Sequence, residues 1–135
     1  MAYMNQEKKK RIANALKQAG LPKSLKYSLA VRNHSTIVMT IRSADIDFIK
    51  NFNDNLPEKD TFGNTPRKAV DYIDVNVFHY KSQFSGKALD VLEKIISCLN
   101  IDNYDNSDVM TDYFDVGYYV TLDIGRWNKP FVFTG

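Results

Sequence analysis

Apolar and polar residues alternate most cleanly in two neighbouring runs, Tyr27-Leu29-Val31 and Ile37-Met39-Ile41, with polar or small residues between them. A period of two marks a half-buried strand. Setting Tyr27 opposite Ile41, Leu29 opposite Met39 and Val31 opposite Ile37 leaves Asn33, His34 and Ser35 as the loop, so pattern and turn length agree on one hairpin register. Such a loop needs a left-handed residue and contains no Gly, which assigns that conformation to Asn33 or His34. Upstream, Ile12, Ala15, Leu16 and Ala19 fall at helical spacing and Gly20-Leu21-Pro22 supplies a stop, predicting a helix over residues 5–19.

Downstream, residues 45–53 read as a short helix burying Ile46, Phe48, Ile49 and Phe52, and residues 55–67, with Pro57, Gly63 and Pro66, as a long loop. A third strand follows with Ile73, Val75 and Val77 on one face and Asp74, Asn76 and Phe78 on the other. Ser82 or Ser85 caps the next helix, whose stripe is Leu89, Leu92, Ile95, Ile96 and Leu99. A long strand then sets Phe114, Val116, Tyr118, Val120, Leu122 and Ile124 against Asp115, Gly117, Tyr119, Thr121 and Asp123. A turn over residues 125–130 leads to a closing strand at Phe131 to Phe133.

The order α-β-β-α-β-α-β-β, with one apolar face per strand, predicts an α+β two-layer fold: a mainly antiparallel sheet of four to five strands with helices on one face. At 135 residues, 44% hydrophobic and 25% charged, the chain reads as a single folded domain over 1–135, with a basic helix at about 5–19 and a core from about 21 to 134. A lone Cys98 forms no internal disulfide, and the N-terminus lacks the apolar segment of a secretory signal, so the expectation is a cytoplasmic protein with no membrane partner.

Charge is uneven. Residues 1–32 hold eight Lys or Arg against the single acid Glu7, and residues 100–135 hold two against six acids. Lys8, Lys9, Lys10, Arg11 and Lys17 form a candidate nucleic-acid surface on the first helix. The sheet face away from the helices is a second candidate. On the predicted phases it carries Arg32, Arg42, Phe78, Tyr80, Tyr113 and Tyr119 among Thr36, Thr40 and Thr121, a composition suited to a protein interface. Asp74, Asp115 and Asp123 share that face and repel a phosphate backbone, which ranks a protein partner or self-association above nucleic acid. Asp102, Asp105, Asp108 and Asp112 lack the calcium-loop spacing, so no metal or other cofactor is expected. His34 and His79 are the available imidazoles, with His79 read as packed at a strand end; no nucleophile elbow, phosphate loop or zinc motif accompanies them.

Three stretches, YSLAVRNHSTIVMTIRSADIDF, YKSQFSGKALDVLEKI and NYDNSDVMTDYFDVGYYV, together resemble the large polyvalent protein-associated domains, modules of phages, plasmids and related mobile elements. The resemblance runs from about Leu21 to Ile124 and is one of texture, without a catalytic signature. It implies a mobile-element setting and no assigned activity. Positions matching the family's polar runs are Arg32, His34 and Ser35 in the hairpin and Ser107, Asp108, Asp112, Tyr113 and Asp115 before the long strand. The expected function is therefore a non-enzymatic binding or accessory module acting through the exposed sheet face. Nucleic-acid binding by the basic helix is the alternative, and a hydrolase using His and Asp residues the third.

Overall fold

The computed structural model describes residues 4–59, 62–65, 68–101, 103 and 117–134. Helix α1 (Gln6–Gln18) begins where the Asn5 side chain accepts the Lys8 N–H at 2.8 Å, and it stops at Gly20, whose φ of +73° suits a residue without a Cβ. Strands β1 (Lys26–Arg32) and β2 (Thr36–Ala44) form the hairpin in the register read from alternation, Tyr27 opposite Ile41, Leu29 opposite Met39 and Val31 opposite Ile37. Both Asn33 and His34 take positive φ, 55° and 54°, so two residues share the left-handed bend.

Helix α2 (Phe48–Asp54) starts later than its apolar run because Asp47 accepts the Lys50 N–H at 3.0 Å. Strand β3 (Ile73–Val75) is shorter than expected. The Asn76 side-chain oxygen accepts the Phe78 and His79 N–H groups at 3.0 and 3.2 Å, bending the chain out of the sheet, and a 3₁₀ turn (Tyr80–Ser82) follows. Helix α3 (Gly86–Leu99) has Ser85 at its N-cap, but the Ser85 hydroxyl faces the amides of Asn51 and Asn55 and so docks α2 on the start of α3. Strands β4 (Tyr119–Ile124) and β5 (Val132–Phe133) complete the fold. Among the described residues it comprises three helices and one five-stranded sheet.

The sheet is mixed, and the expectation of a mainly antiparallel one is corrected. Its order is β1-β2-β4-β3, with β1–β2 and β3–β4 antiparallel but β2 parallel to both β4 and β5. β2, paired along both edges, has an unbroken buried run from Ile37 to Ile41. Ile37, Met39 and Ile41 join Leu122 and Ile124 of β4, Ile73 and Val75 of β3, Ile12 and Leu16 of α1, Phe48 of α2 and the α3 stripe in one core. Val38, on the opposite parity, is buried but stands outside that core. No helix among the described residues is long and apolar enough to cross a membrane.

Candidate functional site

Strand parity defines the face away from the core. Three cross-strand rows lie on it: Arg32, Thr36 and Tyr119; then Ala30, Val38 and Thr121; then Ser28, Thr40, Asp123 and Asp74. Arg42 extends the β2 column of the same parity. Val38 and Thr40 are buried at its centre, whereas Tyr119 is 52% exposed and Arg32 and Arg42 are exposed.

The register places Asp74 directly opposite Asp123. Burial and then repulsion by Asp74 hold the Asp123 carboxyl above the ordinary carboxylate range, with Arg126 and Arg32 acting in the opposite sense. The acidic edge of the face is thus electrostatically strained. The end of the face at and beyond Thr40 is cationic, for a reason that lies in the chain's path. Strand β4 leaves β2 at the Ile124–Ile41 pair and β5 rejoins it at the Val132–Ser43 pair. Residues 125–131 form an excursion across the single position Arg42. Gly125 anchors its start by donating to the Ile41 carbonyl at 2.8 Å, and Phe131 anchors its end by donating to the Asp71 carbonyl at 2.9 Å. Phe131 also packs edge-on against Phe48, with centroids 5.9 Å apart.

Within the excursion Arg126 and Lys129 exchange both backbone hydrogen bonds, at 2.9 and 3.0 Å, so Trp127 and Asn128 form a tight tip. Direct opposition puts the two cationic side chains on one side of that small hairpin. The Arg126 guanidinium folds onto the sheet and donates to Thr40 Oγ1 from Nη2 at 3.0 Å and from Nε at 3.3 Å. Between the excursion and the sheet lies a cleft of about 390 Å³, whose polar lining includes Ser28, Thr40, Arg42, Ser43, Arg126 and Lys129.

Of the residues expected at the interface, Arg32, Arg42 and Tyr119 meet on this face. Phe78 and Tyr80 do not, because the Asn76 turn ends β3 before they are reached. Phe78 is 86% exposed in that turn, and Tyr80 packs against the helix-side core. Tyr113 lies outside the described residues, as do Ser107, Asp108, Asp112 and Asp115 of the family-matched set. His34 and Ser35 sit in the hairpin turn, where the His34 carbonyl accepts the Met4 N–H at 2.7 Å and the Ser35 carbonyl accepts the Tyr119 N–H at 2.9 Å. His79 is exposed, a correction to its reading as a packed histidine. Burial pushes the Cys98 thiol up, away from the thiolate that nucleophilic chemistry requires.

The basic helix does not present its five cations together. Lys8 precedes Ile12 and Leu16 at intervals of four, on the buried side, and its ammonium lies 5.7 Å from the centre of the Tyr118 ring. Arg11 pairs with Glu7 at 3.2 Å, and Lys10 and Lys17 point outward. Of the expected outer basic face, Lys8 is the residue placed elsewhere. Arg126 and Lys129 are what sequence reading missed. They appeared only as turn residues, and their two-residue spacing around Trp127-Asn128 was the available signal of a hairpin.

Among the described residues no group of three or more His, Cys, Asp or Glu is arranged to hold a metal ion. No family model, curated protein or solved structure matches this chain.

Proposed function

We propose that this chain is a non-enzymatic binding module that engages a protein partner through the open face of its sheet. The observation that carries the reading is the arrangement around Val38. Val38, buried but outside the helix-side core, shares its face with half-exposed Tyr119 and with exposed Arg32 and Arg42, residue types that dominate the energetic centres of protein interfaces. The cationic edge favours a partner that brings carboxylates to Arg42 and an apolar or aromatic group to Tyr119. The resemblance to mobile-element modules suggests a mobile-element setting for this partner and adds no chemistry.

Catalysis by His34 or His79 is a weaker reading, since both imidazoles are exposed on separate turns. Nucleic-acid binding by α1 is less well supported than the sheet face, since Lys8 lies over the Tyr118 ring and Arg11 pairs with Glu7, while Lys10 and Lys17 are exposed.

The test compares wild-type protein with Arg32→Ala/Tyr119→Ala as baits in cell lysate, alongside sedimentation of each protein alone. A protein retained by wild type and lost by the variant, or a wild-type dimer that the variant fails to form, supports the face, provided far-UV circular dichroism shows both folded. Identical retention and sedimentation for the two proteins overturn it.

A further inference from the structure

We propose that the cleft between the 125–131 excursion and the β1–β2 end of the sheet binds a small phosphate-bearing molecule. Its lining holds three cations, Arg42, Arg126 and Lys129, and four hydroxyls, Ser28, Thr40, Ser43 and Thr134, but no carboxylate. Asp123 is next to Thr40 in register and lies outside the lining. No carboxylate of the described residues comes within ion-pair distance of Arg42, Arg126 or Lys129.

Three observations separate this cleft from an ordinary basic surface. Arg126, which lines the cleft, is preorganised by its two bonds to Thr40 Oγ1, and these leave further guanidinium N–H groups unused. Arg126 and Lys129 are held directly opposite one another, an arrangement of like charges that weakens a hairpin unless an anion lies between them. Two joined strand ladders would need one residue opposite Arg42, whereas the chain spends residues 125–131 there and places both cations in the surplus.

The ligand class follows from charge and shape. A phosphomonoester carries about −1.5 to −2 charge at neutral pH and offers three acceptor oxygens. Arg42, Arg126 and Lys129 meet the charge, and the Ser28, Ser43 and Thr134 hydroxyls, which have no other side-chain partner, supply further donors. Pro130 and Val132 provide an apolar wall for the organic part, and a volume of about 390 Å³ admits a molecule of sugar-phosphate size.

The experiment titrates the full chain with ribose 5-phosphate and with pyrophosphate in low-salt buffer. Binding is read by calorimetry and by fluorescence of Trp127, the chain's only tryptophan, which is 79% exposed at the tip of the excursion. Saturable binding that weakens at least about tenfold in Arg42→Ala/Lys129→Ala supports the site. Neither substituted side chain has a hydrogen-bond or ion-pair partner to lose, so the variant is expected to fold. Absence of saturable binding, affinity unchanged in the variant, equal affinity for citrate, or tighter binding of a dT12 oligonucleotide would each overturn the assignment. Arg42 is common to the cleft and the protein-docking face, and the two are told apart by Tyr119→Ala, which is expected to leave ribose 5-phosphate affinity within about twofold.

Discussion

Substitution of Gly125 by Ala is the sharpest test of how the excursion is anchored. Gly125 has a φ of +70°, and a Cβ built there would lie 2.5 Å from the Phe131 backbone nitrogen and 2.8 Å from the Asp71 carbonyl oxygen. Those two atoms are donor and acceptor of one hydrogen bond, 2.9 Å long. Neither is the end of a flexible side chain, so relief requires the backbone of Asp71 or Phe131 to move. Left-handed strain costs about 1 kcal/mol, and prising apart the backbone pair between buried Phe131 and Asp71 costs about 1–3 kcal/mol more. Gly20→Ala is the control: its φ is +73°, yet nothing lies within 4 Å of the added Cβ, so only strain of about 1 kcal/mol applies. The unfolded-state entropy change is common to both and cancels in the comparison. Urea unfolding followed by far-UV circular dichroism is expected to show Gly125→Ala less stable than Gly20→Ala by at least about 1 kcal/mol. Equal losses would refute the claim that the two ends of the excursion are in backbone contact.

Tyr118→Phe removes a buried hydroxyl that donates to the Leu99 carbonyl at 2.6 Å, and is expected to cost about 1–2 kcal/mol in the same assay by orphaning an acceptor at the end of α3. Asp74→Asn is expected to stabilise the protein at pH 7 by about 0.5 kcal/mol, since it removes a cross-strand like-charge pair. The sign follows from the raised Asp123 carboxyl: the native state holds its proton to higher pH than the unfolded chain, so the penalty is present at neutral pH and the gain should vanish below about pH 3.5 in urea melts. Asn53→Ala breaks two 2.8 Å bonds to the backbone of Ala69, and limited trypsinolysis should then cut faster after Lys68 while global stability falls by about 1–2 kcal/mol.

What sequence made legible was local. The hairpin register needed only alternation within residues 27–41 and a loop of fixed length, and helix α1 announced itself through the spacing of Ile12, Ala15, Leu16 and Ala19 and a Gly stop. The parallel pairing of β2 with β4 was hidden, because alternation says which face a residue takes but not which strand lies beside it. Strand β3 was overextended for a different reason: Ile73, Val75 and Val77 keep period two, yet the Asn76 carboxamide competes for the backbone and turns the chain at that point. That single side chain removed Phe78 and Tyr80 from the face on which alternation had placed them.

The same distinction explains why half of the candidate site was visible and half was not. Arg32, Arg42 and Tyr119 belong to strands, so parity alone assigns them to the open face. Arg126 and Lys129 belong to no strand, and their position depends on β4 and β5 being collinear on one edge of β2. Collinearity turns a segment that reads as a connecting turn into an excursion that must leave the sheet and return to the same edge. Anchoring at Gly125 and Phe131 fixes where it leaves and returns, and the Arg126–Thr40 bonds fix which way it leans. The cationic edge is therefore a product of tertiary pairing: Arg42 from the sheet and Arg126 and Lys129 from the excursion converge only because β2 accepts two separate partners in succession.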